Sequence, residues 1–187
     1  PDKIFRIVPA STGGSTGSFP RTLSATGLFD PSDPRQPADC LIPYEVNAPL
    51  WSDGADKERY LSIPAGGTIK VLADGDWELP IGTVLVKSFW LQASPIETRL
   101  LVRHSDGEWA GYSYRWNDSG TDATLLEGAD TRVVGGQTWS FPSRAQCLEC
   151  HTAAANRVLG LETAQLNREI LYPSTGRVAN QIATFQH

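Results

Sequence analysis

A short motif in the last quarter of the chain, Cys147-Leu148-Glu149-Cys150-His151, constrains the fold more than any other feature. Two thiols at this spacing can form thioether bonds to the two vinyl groups of a porphyrin, and the histidine that follows is then held beneath the iron as its proximal ligand. We therefore predict one covalently bound haem c. Cys147 and Cys150 would attach it, and His151 would bind its iron.

Two other interpretations of the motif are weaker. A structural zinc site needs four ligands, usually including a second Cys or His pair, and the remaining candidates, Cys40, His104 and His187, are scattered along the chain. A thioredoxin-like redox pair is expected near a βαβ pattern, which this sequence lacks. A chain with three cysteines and three histidines also has little material for a chance match.

Length and charge limit what can surround such a haem. A chain of 187 residues fits one domain with a sizeable core, and it has no apolar run long enough to span a bilayer. The net charge of −5, which two haem propionates would make more negative, argues against nucleic acid or an anionic membrane as a partner. A redox partner protein with a basic docking face fits this charge better.

Haem attachment of this kind takes place outside the cytoplasm, on the oxidising side of a bacterial membrane. The sequence contains no signal peptide and begins with Pro1 rather than Met, so we expect a mature or excised piece of a longer polypeptide in the periplasm or outside the cell. Cys40 is left over once the motif is committed to haem. We expect it as a buried thiol, with a disulfide to a cysteine outside this piece as the alternative.

Composition and periodicity divide the chain into three parts. Residues 1–22 carry a Ser, Thr and Gly run at 11–18 and are predicted to form a linker-like strap. Residues 23–187 are predicted to form a single haem domain, with a β-rich body at about 44–140 and a helical haem-binding segment at about 141–187. In the body, runs with a period of two predict antiparallel strands at Thr68–Leu72, Gly82–Leu91, Thr98–Arg103, Trp109–Trp116 and Thr131–Val134.

The turn and helix signals complete this prediction. Ser105-Asp106-Gly107 lies between two of the strand runs and predicts a hairpin turn. The predicted fold class is α+β and β-rich, an antiparallel β-sandwich or rolled sheet with a C-terminal helical segment that carries the haem. The helical spacing after the motif is found at Leu159, Thr163, Leu166 and Ile170, and again at Val178, Ile182 and Phe185.

Five phrases of the sequence carry a family resemblance: Leu23–Phe29, Pro49–Ala55, Gly82–Lys87, Glu97–Arg99 and Gly111–Asn117. They resemble a family of uncharacterised secreted bacterial c-type haem domains, over most of the chain from about residue 23 to its end. The chain is also similar to the redox modules called X183, which are appended to carbohydrate-binding proteins. The resemblance implies a redox role beside other haem or carbohydrate-binding modules of the same polypeptide, in polysaccharide utilisation.

Polar side chains recur in these phrases. Arg99 or Arg115 is expected to hold the haem propionates through bidentate contacts, and the alternative is a set of structural ion pairs and turn caps. The segment 117–122 has enough oxygen atoms for calcium but lacks the regular ligand spacing, so a plain turn is expected there. The other polar residues of the set are Asp53, Asp56, Lys57, Arg59 and Glu97.

The second axial ligand of the iron is approached by elimination. The chain contains no methionine, which removes the common His/Met pair and leaves His104, His187, a lysine or an open site. Lys87 stands in a run that is apolar on both strand faces, where burial would lower its pKa and favour the neutral amine, whose lone pair can bind a metal. Its alternatives are to reach the surface or to pair with Glu97. His104 adjoins the hairpin turn, whose tip can reach over a haem.

Three functions are compatible with these features. Electron transfer is favoured, because a haem with both axial positions filled changes oxidation state without binding substrate. A haem enzyme, peroxidase-like or reactive with oxygen, is the alternative if the distal position is open, although no acid/base pair stands at a recognisable spacing around the motif. A structural or docking module of a multidomain protein is the third.

Overall fold

The computed structural model describes residues 19–186. Most of the predicted strap and His187 therefore lie outside the described residues. No helix of the described part is long and apolar enough to cross a membrane. The helices are α1 (Arg144–Cys150), α2 (Thr163–Leu166) and α3 (Gln181–Phe185), and the strands are β1 (Phe29–Asp30), β2 (Asp33–Pro37), β3 (Ile42–Pro43), β4 (Asp56–Ser62), β5 (Lys70–Val71), β6 (Trp77–Glu78), β7 (Val84–Leu91), β8 (Ser94–Arg103), β9 (Trp109–Trp116), β10 (Ala123–Leu125), β11 (Asp130–Val134), β12 (Gln137–Phe141), β13 (Glu169–Tyr172) and β14 (Arg177–Asn180).

The centre of the fold is a six-stranded antiparallel sheet with the strand order β10-β9-β8-β7-β4-β3. Its three longest strands, β7, β8 and β9, follow one another along the chain and pair as neighbours. The β8–β9 connection is the predicted hairpin turn, closed by a hydrogen bond of 2.8 Å from the amide of His104 to the carbonyl of Glu108. Gly107 has φ +87°, which only glycine adopts freely. The predicted antiparallel, β-rich body is confirmed.

The two faces of this sheet are covered by different parts of the chain. One face, here called the N-terminal face, packs against Leu23, Leu28, Phe29 and Leu41. The opposite face, here called the C-terminal face, carries two separate apolar clusters. The first includes Leu61, Leu85, Leu101, Val158 and Leu161, and the second includes Phe89, Leu91, Ile96, Trp139 and Phe141.

The helical prediction for about 141–187 is wrong in its middle. Instead of continuing the helical spacing, residues 169–180 form the antiparallel hairpin β13–β14. Along β13 burial alternates with a period of two, with Ile170 and Tyr172 buried between exposed neighbours. Gly176, at φ +65°, lies in the turn. Pro173 cannot continue a helix, so the local turn chemistry outweighs the coarse spacing of apolar residues.

The strand predictions also need two adjustments. The run Thr68–Leu72 contributes only the two residues of β5. The other sheets of the described part are two-stranded hairpins, so a second large sheet, as in a sandwich, is not formed by residues 19–186. Short hairpins and loops cover the central sheet instead, because the strands outside it have only two to five residues each.

Candidate functional site

Helix α1 carries the two cysteines of the motif and begins at a well-formed cap. The Ser143 hydroxyl accepts a hydrogen bond of 3.3 Å from the amide of Gln146, and the Gln146 side chain accepts one of 2.9 Å from the amide of Ser143. This reciprocal capping box satisfies two amides that a helix start leaves without partners. Because Cys147 and Cys150 are three positions apart on this helix, they lie near one another on its surface. His151 follows at the end of the helix.

The helix rests directly on the backbone of β9. A Cβ atom at Gly111 would lie 2.5 Å from the Cβ and 2.6 Å from the Sγ of Cys147, so this position admits only glycine without movement of the helix. Cys147 is half-buried there, and burial raises the pKa of its thiol. Cys150 is exposed. The glycine thus allows α1 to approach the C-terminal face of the sheet.

His151 is held in one orientation by the loop that follows it. Its Nδ1 lies 2.8 Å from the carbonyl oxygen of Arg157, and the Arg157 guanidinium donates back to the carbonyl of His151 at 3.0 Å. A carbonyl can only accept, so Nδ1 carries the proton and Nε2 keeps its lone pair. Burial lowers the pKa of His151, against the opposing effect of the Arg157 carbonyl, and the positive charges of Lys87 and Arg99 lower it further. The imidazole is therefore neutral near pH 7, as metal ligation requires.

A row of three basic residues crosses the C-terminal face, and we call it the basic row. Arg59 on β4, Lys87 on β7 and Arg99 on β8 are direct cross-strand neighbours. Like charges in such positions repel one another. Burial lowers the pKa of Lys87 to about 8, and the charges of Arg59, Arg99 and Lys57 contribute in the same direction. The row runs between the two apolar clusters of this face and lies close enough to His151 to alter its pKa.

One member of the basic row has an acidic partner. Arg99 donates from Nε and Nη2 to the two carboxylate oxygens of Glu97, both at 2.8 Å. Glu97 has a fully buried side chain and also accepts a hydrogen bond of 3.0 Å from Trp139. Glu97, which the sequence offers as an alternative partner for Lys87, therefore pairs with Arg99 and Trp139 instead.

His104 and Arg115 are not members of this row, although Arg115 is the direct cross-strand neighbour of Glu97 on β8. The Nε2 of His104 is 2.9 Å from the hydroxyl of Tyr112, whose ring belongs to the cluster on the N-terminal face. Arg115 forms an ion pair of 2.6 Å with Asp130, and both side chains are partly exposed. The structure thus brings Lys87 and Arg99, but not His104 or Arg115, into the electrostatic neighbourhood of His151.

An exposed apolar loop borders the basic row. Leu50 and Trp51 are 77% and 75% exposed, and the carbonyl of Leu50 accepts a hydrogen bond from the Lys57 ammonium group. Lys57 precedes Arg59 by two positions on β4 and points to the same face. The loop 50–55 also meets β12, where Gln137 donates to the carbonyl of Asp53 at 3.0 Å. A large planar ligand over the row would cover apolar surface here.

A cavity of about 530 Å³ lies beside α1, within the usual size range of ligand pockets. It shares Arg99 with the basic row and has a mixed lining of polar and apolar side chains. Gln146 and Glu149 of α1 form one wall. The remaining lining residues are Ala129, Asp130, Thr131, Ser140, Phe141 and Pro142.

Three groups that shape the site could not be assigned to it from the sequence. Gly111 appears in the sequence only as a small residue alternating with aromatic ones, although a glycine inside a strand often marks a close backbone approach. Arg59 stands among the polar residues without a specific role. The carbonyl of Arg157 gives no sequence signal, because any residue supplies a carbonyl and only the loop conformation directs it to His151.

The chemistry of the donor set fits a haem better than a zinc ion. In residues 19–186, no three His, Cys, Asp or Glu side chains converge as a metal-binding cluster, and this includes the two thiols and the imidazole of the motif. A zinc site needs that convergence. Thioether attachment does not, since the sulfur atoms bond to the porphyrin edge and only the imidazole meets the iron.

No protein-family model, no curated protein and no solved structure matches this chain.

Proposed function

We propose that this chain is a mono-haem c-type cytochrome domain for electron transfer. Cys147 and Cys150 attach the cofactor, and Nε2 of His151 binds its iron. The observation that carries the proposal is the hydrogen bond of His151 to the Arg157 carbonyl. It fixes the tautomer and direction of the ring immediately after the two thiols, which is the role that outer partners of metal-binding histidines play.

The cofactor supplies one-electron chemistry when it is bound. The residues of this chain bind it, orient it and limit the access of water. The close approach of α1 to Gly111 supports a fixed attachment point. The exposed Leu50 and Trp51 support the presence of a large apolar group that covers them.

We further propose Lys87 as the second axial ligand. The chain has no methionine, His104 is hydrogen-bonded to Tyr112, and Glu97 is bound by Arg99. Burial and neighbouring cations lower the pKa of Lys87 to about 8, so the neutral amine is far more accessible than for an ordinary lysine. A ligand on the sheet and a ligand after α1 would hold the iron between them.

The proposed setting is the periplasm or the extracellular space. Covalent haem attachment and the resemblance to X183 modules support a part of a larger redox polypeptide linked to polysaccharide utilisation, next to other haem or carbohydrate-binding modules. The acidic net charge of −5 supports a redox partner protein with a basic docking surface.

A haem enzyme with an open distal position is the second candidate, and the cavity beside α1 favours it. Its volume of about 530 Å³ and its mixed polar and apolar lining would admit a small substrate. This function requires that Lys87 does not bind the iron.

Absorption spectra of both oxidation states test the two candidates, with carbon monoxide added to the ferrous protein and cyanide to the ferric protein. We expect a low-spin, six-coordinate spectrum and slow, incomplete ligand binding. A high-spin spectrum with rapid carbon monoxide binding would favour the enzyme. Lys87→Ala should convert the haem to high spin, whereas His104→Ala should leave the spectrum unchanged; the opposite result would make His104 the ligand.

The covalent attachment has its own test. A Cys147→Ala, Cys150→Ala double variant should release all of its haem on extraction with acidified acetone, because no thioether remains. Cys40→Ala is the matched control and should retain the haem completely. A double variant that keeps covalent haem would end the proposal.

A further inference from the structure

The basic row has more positive charge than the described residues around it neutralise. It contains three cations, Arg59, Lys87 and Arg99, and the hydrogen-bonded carboxylate of Glu97 is paired with Arg99. Half-buried charges without partners are costly, so an anion is expected beside Arg59 in the functional state, in which Lys87 is a neutral iron ligand.

Arg59 is the cation that remains without a bound carboxylate if Lys87 serves as a neutral iron ligand. Its side chain is half-buried, and burial lowers its pKa, with Tyr44 and Glu45 opposing that effect. Glu45, the acid whose field reaches it, is mostly exposed and forms an ion pair of 3.2 Å with Arg168. Arg59 therefore has a guanidinium available for a carboxylate ligand.

The two arginines expected from the sequence to bind propionates already use N–H groups in ion pairs. Arg99 already uses Nε and Nη2 for a bidentate contact with Glu97. Arg115, the cross-strand neighbour of Glu97, is already paired with Asp130 at 2.6 Å. A planar guanidinium binds a carboxylate best through two parallel hydrogen bonds, and Arg59 is the arginine next to Lys87 that still has this geometry free.

We propose that Arg59 binds a propionate carboxylate of the covalently attached haem and thereby orients the cofactor over the basic row. Arg59 is the direct cross-strand neighbour of Lys87, and such neighbours have Cβ atoms about 5 Å apart. A long arginine side chain beside the iron ligand reaches the porphyrin edge rather than its centre. The inference rests on the proposed haem attachment, which the cysteine variants test independently.

The experiment compares Arg59→Gln, Arg59→Lys and Arg115→Gln in the haem-loaded protein. Three quantities are measured: covalent haem content, the ratio of reduced to oxidised haem at the wild-type midpoint potential, and the propionate bending bands in the resonance Raman spectrum. Removing a cation near the haem disfavours reduction, so Arg59→Gln should lower the ratio from one to about one tenth, which equals about 59 mV for one electron. Its propionate bands should shift while haem content stays at the wild-type level.

The two other variants serve as matched controls. Arg59→Lys keeps the charge and should recover most of the ratio, but not the Raman bands, because a lysine does not make the bidentate contact. Arg115→Gln should match the wild type in all three measurements. Arg59→Gln with an unchanged ratio and unchanged bands would overturn the inference, provided that the protein carries covalent haem. An effect seen in Arg115→Gln but not in Arg59→Gln would overturn it as well.

A carboxylate or phosphate ion from solution could bind to Arg59 in the same way as a haem propionate. Titration of the wild type with inorganic phosphate at constant ionic strength separates the two sources. We expect no change in the ratio of reduced to oxidised haem, because the propionate already fills the site. A saturable change would assign the row to a soluble anion and overturn the propionate assignment.

Discussion

The two faces of the central sheet are built from the same strands but differ in how their polar groups are satisfied. On the N-terminal face, Ser88 and Thr98 form a mutual hydrogen bond of 3.0 Å, and Tyr114 donates to the carbonyl of Pro20 at 2.7 Å. On the C-terminal face, Lys87 on β7 and Arg59 on β4 are direct cross-strand neighbours, and their charges repel each other. The polar groups of the first face are satisfied within it, whereas Arg59 and Lys87 on the second have no acidic partner among residues 19–186.

Under the proposed function, this difference separates residues that stabilise the fold from residues that bind the cofactor. Buried polar groups in folded proteins nearly always have partners, so the N-terminal face follows the general rule. In the basic row, Arg99 is paired with Glu97, while Arg59 and Lys87 have no acidic partner in the described part of the chain. The row lies between two apolar clusters, and the charges of Lys87 and Arg99 act on His151.

The largest effect is expected where the C-terminal face meets α1. Gly111→Val places two methyl groups where even a Cβ would lie 2.5 Å from Cys147, so α1 must move away from β9. We expect haem content to fall to a small fraction of the wild-type level, measured by absorbance after extraction. Gly128→Ala, at a position with open space around it, is the control and should retain the haem. Full loading of Gly111→Val would mean that α1 does not need its contact with β9.

A pair of neighbouring leucines compares the two faces directly. Leu100 is 1% exposed on the N-terminal face, and Leu101 is 7% exposed on the C-terminal face. Each change to alanine should lower the free energy of unfolding by about 2–5 kcal/mol, measured by urea denaturation. Only Leu101→Ala should also alter the haem spectrum, because its cluster contains Val158, adjacent to the Arg157 carbonyl that orients His151. Equal spectral changes in both variants would remove the distinction between the faces.

The sequence predicts the strands of the central sheet well, because β7, β8 and β9 are long, rich in β-branched and aromatic residues and separated by clear turns. It also indicates that Lys87 is unusual, since a lysine inside an apolar run stands out. The basic row could not be predicted, because it depends on the register that aligns three strands. Nor could the hairpin β13–β14, where a few apolar residues fit both a helical and an extended spacing.

The third prediction concerns how much the buried ammonium group of Lys87 lowers the free energy of unfolding. It is tested in haem-free protein, produced as the Cys147→Ala, Cys150→Ala double variant. Burial lowers the pKa of Lys87 from 10.5 to about 8. Between these values the unfolded chain binds more protons than the folded one, so stability rises with pH, and the cost is fully present below pH 8. A difference of this size corresponds to roughly 3 kcal/mol, and partial exposure reduces it to roughly 1–3 kcal/mol.

Lys87→Met should therefore raise the free energy of unfolding at pH 7, and the gain should shrink as the pH rises from 8 towards 10.5. Urea denaturation at several pH values measures both effects. Lys70→Met, at an exposed lysine in a long 3.5 Å ion pair with Glu78, is the control and should show little pH dependence in this range. A gain from Lys87→Met that does not vary with pH would mean that Lys87 is solvated.

The smallest effect is expected at Arg115, which lies on the same strand as Gly111 but beyond the basic row. Its ion pair with Asp130 is short, at 2.6 Å, yet the two side chains are 45% and 35% exposed. Pairs of this kind contribute about 0.2–1 kcal/mol, because solvent and salt screen them. Arg115→Gln should therefore lower the free energy of unfolding by no more than about 1 kcal/mol, and less at high salt. A shift in the midpoint potential of this variant, without a change in haem content, would instead return Arg115 to the propionate site and weaken the contrast between the basic row and the rest of the sheet.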